Sequence, residues 1–188
     1  EVMSERKQQI LQAAVDIIVD EGYGSLSMRA LARASGIKLG ALQYHFRTRE
    51  DMLRALVAYI SDIYHDNFES MKVNKPLSIK VILEFAATEP ADGRLRADKL
   101  WPQLWAMGAV QPLVADLVAE IYDEYLQILE HLLVNAGSKC ARAEAIVLMS
   151  LVEGSTIFTG SGRKWENESS KVKKAGYDLV ARKYGEDV

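Results

Sequence analysis

The chain has 188 residues, of which 49% are hydrophobic and 26% are charged, enough apolar side chains for the core of one medium domain or two small ones. Its single cysteine, Cys140, excludes a disulfide within the chain, and its longest uncharged stretch, residues 101–115, is too short to cross a membrane. The polar first residues contain no apolar signal core, so a cytoplasmic protein is expected.

The charges are unevenly distributed along the chain. The formal net charge is −3, yet residues 27–54 hold six basic and two acidic side chains, whereas both flanking segments are acidic on balance. A cationic segment on an acidic protein suggests a surface for a polyanion such as DNA. The alternative is a solvated basic face that has no partner.

Three helices are predicted in the first fifty residues. Apolar side chains from Ile10 to Ile18 recur at helical spacing and predict an amphipathic helix that ends at the glycines of "DEGYG". Ser27 is placed to cap a second helix over "MRALARASG", and Gly36 can supply the left-handed residue that ends it. After the "GIK" corner, "LGALQYHF" predicts a third helix. Two short helices around a glycine turn, with a longer helix behind them, predict a helix-turn-helix.

Helices are also predicted for the remainder of the chain. Thr48, with Asp51 as its capping partner, begins a connecting helix that runs to the break at "KVNKPLS". A helix stopped by Pro90, one or two helices kinked at Pro102 and a long amphipathic helix ended by Gly137 follow. Two more helices, around a loop rich in glycine and serine, complete the chain. No segment has a convincing strand pattern, so the predicted fold class is all-α.

The predicted third helix has an unusual outward face. On a helical wheel Leu42 and Phe46 face inward, while Gly40, Ala41 and Tyr44 point away. Small residues weaken a helix but let its backbone approach another surface closely, and the major groove of DNA admits one helix. We therefore interpret "GIKLGALQYHF" as a helix that lies in DNA. A small buried helical corner is the alternative.

Polar side chains around this face have chemistry that suits DNA. Gln43 can read an adenine edge, and Tyr44 can reach a phosphate or a thymine methyl group. Basic side chains nearby supply charge for phosphate contacts. They are Arg29, Lys38, Arg47 and Arg49.

The segment "SMRALARASGIKLGALQYHFRTREDML" resembles the DNA-binding segment of the tetracycline-repressor (TetR) family, because glycine, apolar and charged positions agree together over one continuous stretch. The matching positions are Ser27, Leu31, Ala32, Gly36, Ile37, Gly40, Leu42, His45, Phe46, Arg49, Glu50 and Leu53. The segment departs from the family pattern at Lys38, where serine is usual, and at Gln43, where a phosphate-contacting tyrosine is common.

The resemblance implies a division of the chain and a set of DNA contacts. Residues 1–47 are expected to form the helix-turn-helix domain and residues 48–188 a ligand-binding and dimerisation domain, in which 48–70 is the connecting helix. The implied DNA-binding residues are Ser27, Arg29, Lys38, Leu39, Gly40, Ala41, Gln43, Tyr44, His45 and Arg49.

A second group of residues suggests a small-molecule site. Two tryptophans four residues apart, and a glutamate within an apolar helix, are unusual for a plain bundle core, although core is the alternative role for each residue. The stretches "KLWPQLWAMGAVQP" and "LVEG" are similar to counterparts in a choline-sensing branch of the family. The candidate ligand-binding residues are Phe85, Trp101, Trp105, Tyr122, Met149 and Glu153.

The class of ligand has two interpretations. Aromatic faces and one carboxylate favour an organic cation. If Glu153 instead pairs with Arg94 or Arg96, the pocket is neutral and suits an apolar or aromatic compound.

Patterns of catalytic and metal sites are missing from the sequence. The three histidines lack the i, i+4 spacing of a helical metal site, "GSTIFTGSGRK" lacks the order of a phosphate loop, and no Gly-x-Ser-x-Gly elbow is present. We therefore expect no cofactor, no metal and no enzymatic activity.

The function predicted from these patterns is that of a ligand-responsive transcriptional regulator. It is expected to be a homodimeric repressor that a small-molecule inducer releases from a palindromic operator. Dimerisation is expected through apolar stripes on the last two helices. These stripes comprise Ile146, Met149 and Val152 in one helix and Val172, Leu179 and Val180 in the other. The alternatives are a ligand-independent architectural DNA-binding protein and a helical enzyme.

Overall fold

The structure, a computed structural model, describes residues 3–74, 76–88 and 93–185. Within these ranges the chain forms nine α-helices, two short 3₁₀ turns and no strand, which confirms the all-α class. The helices are α1 (Glu5–Glu21), α2 (Met28–Ala34), α3 (Leu39–His45), α4 (Arg49–Asn74), α5 (Ile79–Ala86), α6 (Ala97–Gly108), α7 (Pro112–Asn135), α8 (Ala141–Thr159) and α9 (Ser169–Tyr184).

Most helix ends follow from local sequence signals. Ser27 and Ser78 accept hydrogen bonds from the amides three residues on and cap α2 and α5. Thr48 and Asp51 exchange side-chain and backbone hydrogen bonds of 3.0 and 3.1 Å before α4, as predicted. Gly137, with φ of 88°, follows the end of α7.

The structure refines two predictions about helix limits, the end of α5 and the number of helices around Pro102. Helix α5 ends at Ala86, four residues before Pro90, which was predicted to stop it. Pro90 itself lies outside the described residues. The segment around Pro102 forms one helix, α6, with the proline inside it.

The helices divide into two compact units. Unit 1 comprises residues 1–67 and 89–119, and unit 2 comprises residues 68–88 and 120–188, so that α4 and α7 each contribute to both. This division groups α6 with the first three helices. The predicted boundary between a DNA-binding domain and a ligand-binding domain at residue 47 stays a prediction.

Each unit has its own apolar core. In unit 1 the buried face of α1 includes Ile10, Leu11, Ala14 and Ile18, and the helix packs against α2 and α6. In unit 2, α8 packs against α5 and α9. Met149 and Val180 are buried within unit 2, so these two members of the predicted dimer stripes are core residues and are not available to a partner.

A carboxylate ties the end of α9 to the start of α8 in unit 2. Glu144, in the first turn of α8, accepts hydrogen bonds from Lys183 and Tyr184 near the end of α9, and from Ser138. The bonds from Lys183 and Tyr184 lower the pKa of Glu144 to about 2. Two contacts therefore hold α9 in unit 2. Val180 on its apolar face is buried, and Lys183 and Tyr184 near its end bond to Glu144.

Candidate nucleic-acid interface

The turn between α2 and α3 is fixed by a left-handed glycine. Gly36 has φ of 65°, its amide donates to the Arg33 carbonyl at 3.1 Å, and the Ile37 amide donates to the Ala32 carbonyl at 3.0 Å. These two bonds are those of a Schellman motif, which ends α2 and turns the chain. Helix α3 thus begins at a set angle to α2, as a helix-turn-helix requires.

Apolar side chains hold α3 on the rest of the domain. Leu31 and Leu42 are completely buried, and Phe46 is nearly so. Arg6 in α1 adds a polar tie, since its guanidinium donates to the Ser35 carbonyl at 3.0 Å. The inward face predicted from the helical wheel, Leu42 with Phe46, is confirmed, and a wholly buried corner is excluded by the face on the other side.

That other face is open to solvent. The Tyr44 side chain is 88% exposed, and Gly40, Ala41 and Gln43 are exposed as well. A Cβ added at Gly40 would meet no atom within 4 Å, so nothing in the chain explains the missing side chain there. The His45 ring, half-buried, stands edge-on to Tyr44 at 5.8 Å between ring centroids.

Cations surround the open face. Arg29 and Lys38 are exposed, and Lys38, which stands where serine is usual, makes no side-chain cap for α3. Arg49 is held in place, because its Nη2 donates to the Tyr23 hydroxyl at 2.8 Å and its guanidinium lies 5.3 Å from the centroid of the Tyr23 ring. Ser27 uses its hydroxyl to cap α2, and Leu39 is half-buried at the start of α3.

Tyr23 is a residue that the sequence analysis missed. It lies in the 3₁₀ turn Tyr23–Ser25 after α1, twenty-six residues from Arg49. An arginine stacked on a ring and bonded to its hydroxyl loses less conformational entropy when it binds a phosphate. No local sequence signal links the two positions.

The candidate ligand-binding residues are distributed over both units. Trp101 and Trp105 lie in α6, in unit 1, with 6.4 Å between their ring centroids, and the Trp101 Nε1 donates to the Tyr64 hydroxyl at 2.7 Å. The other four residues, Phe85, Tyr122, Met149 and Glu153, lie in unit 2.

Glu153 is a half-buried residue of α8 in unit 2. Burial raises the pKa of Glu153, and a hydrogen bond from the Tyr122 hydroxyl lowers it less. Arg96, proposed above as an alternative partner of Glu153, has its guanidinium on two carboxylates of α1. The carboxyl group of Glu153 is thus bonded to a neutral hydroxyl.

Unit 2 also contains an aromatic cluster and an apolar groove. The Phe85 ring belongs to a trio with Phe68 and Tyr125, in which ring centroids lie 4.3 to 6.1 Å apart. Between α5, α8 and α9 is an apolar groove with a volume of about 250 Å³. Leu83, Leu148 and Tyr177 are among its lining residues.

The described residues form neither a cluster of metal ligands nor a membrane-spanning helix. In residues 3–74, 76–88 and 93–185 no group of three or more histidine, cysteine, aspartate or glutamate side chains is arranged to hold a metal ion. Over the same part of the chain, no helix has the length and apolar character needed to span a lipid bilayer.

Comparison with known proteins gives one family. Residues 10–56, which include α2, the turn and α3, match the family of bacterial regulatory proteins described as the tetR family. The regulator BetI of Pseudomonas fluorescens is 27% identical over 57% of this chain and 56% of its own length. The regulator AcrR of Shigella flexneri is 25% identical over 94% of this chain and 86% of its own length. The chain spans about half the length of the first curated relatives that it matches.

Solved structures share the fold over almost the whole chain. A transcriptional regulator from Saccharomonospora viridis, solved in complex with choline, superposes with a TM-score of 0.78 at 21% identity and covers 95% of this chain and 96% of its own. A TetR transcriptional regulator from Legionella pneumophila superposes with a TM-score of 0.70 at 21% identity, over 95% and 99% of the two chains. At this identity the likeness establishes the arrangement of helices.

Proposed function

Because the chain belongs to the TetR family of bacterial regulatory proteins, we propose that it is a transcriptional regulator that reads double-stranded DNA with α3. The observation that carries the proposal is the open face of α3, where Tyr44 is solvent-exposed beside Gly40 and Ala41. A protein that reads chromosomal DNA in a bacterium works in the cytoplasm.

The chemistry of this face assigns a role to each kind of side chain. The small residues Gly40 and Ala41 let α3 lie deep in the major groove, where Gln43 and Tyr44 reach base edges. Lys38 and Arg49 flank the helix and neutralise phosphates on either side of the groove. The phosphate contacts orient the domain, and the base contacts select the sequence.

The test of DNA reading is selection from a random pool of duplexes. The protein is immobilised, bound duplexes are recovered and sequenced over several rounds, and the enriched sequence is measured by fluorescence anisotropy. We expect a palindromic sequence to be enriched, because a two-fold dimer presents two copies of α3. Enrichment of no sequence over the starting pool would exclude sequence-specific reading and would favour the architectural alternative.

The proposed assembly is a homodimer formed through α8 and α9. Val147, Leu151 and Phe158 recur on one side of α8 and are about half exposed, and Leu179 on α9 is similarly exposed. Exposed apolar side chains at helical spacing are typical of an interface. A two-fold arrangement of these helices would place two reading helices about one turn of DNA apart, roughly 34–36 Å.

We further propose that an organic cation is the inducer that binds unit 2. A half-buried carboxyl group whose hydrogen-bond donor is a neutral hydroxyl, in a unit with an aromatic trio, offers a positive ligand both a carboxyl partner and ring faces. The choline held by the Saccharomonospora viridis regulator supports this class. The predicted members in unit 2 are Phe85, Tyr122, Met149 and Glu153, while Trp101 and Trp105 in unit 1 stay predictions.

The ligand class is tested by calorimetric titration with choline and with a neutral aromatic compound such as indole. We expect heat of binding for choline and release of the selected duplex, and weaker choline binding by the Glu153→Gln variant. The exposed carboxylate of Glu120 on α7 supplies the matched control, Glu120→Gln, which should bind choline as the wild type does. If indole releases the DNA and Glu153→Gln changes nothing, the ligand is apolar or aromatic.

Repression is the proposed sense of regulation. A ligand that binds the DNA-free conformation better shifts the population away from the operator, so that its presence permits transcription. The similar proteins named above are regulators, and the proposed function includes no catalytic step.

A further inference from the structure

Arg96 adopts a backbone conformation that is unfavourable for its side chain. Its φ of 47° and ψ of 58° are left-handed, and among the described residues no other non-glycine residue has a positive φ. Arg96 is also the N-cap of α6 and makes no side-chain cap there. A cation at a helix N-terminus is repelled by the helix dipole, and glycine, asparagine or aspartate would suit the position better.

The guanidinium of Arg96 makes the contacts that offset these local costs. Nη1 donates to Asp20 Oδ1 at 2.7 Å, and Nη2 donates to Asp20 Oδ2 at 3.2 Å and to Asp16 Oδ1 at 3.0 Å. The two aspartates are one turn apart on α1, and Arg96 holds the pKa of Asp20 below its ordinary value. A residue keeps a strained backbone conformation when contacts with its surroundings hold it there. For Arg96 these contacts are the bonds to Asp16 and Asp20 of α1.

Further polar bonds join the same two segments of unit 1. Gln12, one turn before Asp16 on α1, donates from Nε2 to the Arg94 carbonyl at 2.8 Å. Gln103 of α6 accepts at Oε1 from the Tyr23 amide at 3.3 Å, just after α1 ends. Glutamine and aspartate at positions 12, 16 and 20 therefore form one polar stripe along α1 that faces the start of α6.

The opposite face of α1 is apolar, and α1 packs against α2, which in turn packs against α3. Leu11, Ala14 and Ile18 on this face are buried, as are Leu31 of α2 and Leu42 of α3. Helix α1 therefore contacts both α6 and the helix-turn-helix formed by α2 and α3. An isolated ion pair at the surface contributes little to stability, so three bonds from one guanidinium to a single turn of α1 call for a role in orientation.

We propose that Arg96 is a positioning residue: its bonds to Asp16 and Asp20 fix α1, and with it α3, on α6. This inference rests on the proposed DNA-binding function. A dimer must present both copies of α3 at one spacing to bind a palindrome, whereas one half-site needs only one reading domain. We expect loss of the Arg96 bonds to leave the fold of the helix-turn-helix intact and to let its orientation relative to α6 vary.

The test compares two duplexes, the palindrome selected by the wild-type protein and a duplex that carries one half-site. Arg96→Gly keeps the left-handed backbone accessible and removes the guanidinium. We expect this variant to bind the palindrome roughly 3- to 30-fold more weakly, because mutations in such contact networks change coupling free energies by that amount. It should bind the half-site within about twofold of the wild type. The Asp16→Asn/Asp20→Asn double variant should behave the same way, and adding Arg96→Gly to it should have little further effect.

Two controls separate positioning from other causes. Lys99 is exposed on the first turn of α6, and its charge attracts Asp20. Lys99→Ala therefore removes one positive charge near Asp20 and should leave the affinities for the palindrome and the half-site unchanged. The dependence of affinity on salt should be equal for Arg96→Gly and the wild type, because Arg96 contacts no phosphate.

The inference is overturned by either of two results. Unchanged palindrome binding in both Arg96→Gly and the Asp16→Asn/Asp20→Asn double variant would show that orientation does not depend on these bonds. An equal loss on half-site and palindrome would show that Arg96 only stabilises the fold of the reading domain. Failure of the proposed function is a different result, in which the wild-type protein does not distinguish the palindrome from a shuffled duplex.

Discussion

Tyr44 is a highly exposed aromatic side chain on the face of α3 that we propose reads DNA. It projects from the middle of α3, 88% exposed, next to positions that carry only hydrogen or a methyl group. Its helix is held by Leu42 and Phe46 on the other side, so truncation of Tyr44 removes no core contact.

We expect Tyr44→Ala to weaken binding to the selected duplex by roughly 1–3 kcal/mol, with no loss of thermal stability. Fluorescence anisotropy gives the affinity, and circular dichroism the stability. Val73→Ala, at another highly exposed position on α4, is the control and should bind as the wild type does. Equal affinities for Tyr44→Ala and wild type would show that another face reads DNA.

Arg49 tests the phosphate contacts. Arg49→Ala should weaken binding to every duplex by a similar factor and reduce the slope of log affinity against log salt by about one. Titrations at several salt concentrations, with selected and shuffled duplexes, measure both effects. Tyr23→Phe removes the hydroxyl that Arg49 bonds to and keeps the ring and the charge, so it should lower affinity less and keep the slope. An unchanged slope in Arg49→Ala would place Arg49 away from phosphate.

Glu153 gives stability a dependence on pH. Because burial raises its pKa, the folded protein keeps the proton to higher pH than the unfolded chain does, and stability falls as pH rises above the ordinary value of 4.5. Glu153→Gln cannot ionise, so its free energy of unfolding should exceed that of the wild type at pH 7. The difference should shrink as the pH approaches 4.5.

Urea unfolding at several pH values measures this difference. Glu120→Gln, which changes an exposed carboxylate on α7, should show little dependence of the difference on pH. A Glu153→Gln difference that is the same at pH 4.5 and pH 7 would contradict a raised pKa of Glu153.

At the scale of elements, the turn before α3 is the feature with the sharpest backbone requirement. Gly36→Ala forces a methyl group into the left-handed region at φ of 65° and should destabilise the protein by about 1–2 kcal/mol. Gly40→Ala is the matched control, because Gly40 is helical and no atom lies within 4 Å of the added methyl.

We expect Gly40→Ala to stabilise the fold by up to about 1 kcal/mol, since alanine is the better helix former. Its methyl group should nevertheless weaken DNA binding, because it lifts α3 from the groove. Urea unfolding of both variants checks the contrast, and equal stabilities would contradict the Schellman turn.

Local signals explain how well the helices could be predicted. Ser27, Gly36 and the pair Thr48 and Asp51 each act through bonds to residues within five positions, so the sequence alone reveals them. Arg96 could not be predicted in the same way, because its partners lie 76 and 80 residues away and its own position favours other residue types. The bond between Arg49 and Tyr23 was missed for the same reason.

The candidate ligand site shows the same limit. Helical spacing places Trp101 near Trp105 and Met149 near Glu153, but it does not indicate which compact unit each helix joins. Helical spacing also does not show which members of an apolar stripe are exposed and which are buried. Met149 was expected to be a dimer contact, and the structure places it in the core.

At the scale of the whole molecule, dimerisation is the property that makes two reading helices act together. Leu151 lies on the exposed apolar side of α8 and is 47% exposed. Leu151→Asp should give a monomer at micromolar concentration by light scattering, because a charge in an apolar interface is costly. Val110→Asp, at an exposed position after α6, should remain dimeric. A wild-type protein that is itself monomeric would refute the interface.

The central claim, that paired α3 helices read a palindrome, is tested most directly by anisotropy titration of the wild-type protein against three duplexes. They are the selected palindrome, the same palindrome with five base pairs inserted at its centre, which turns one half-site by about half a helical turn, and a shuffled sequence of equal length. The account predicts tight binding to the first, much weaker binding to the second and salt-sensitive, weakest binding to the third. Equal affinity for the palindrome and the shuffled duplex would contradict it.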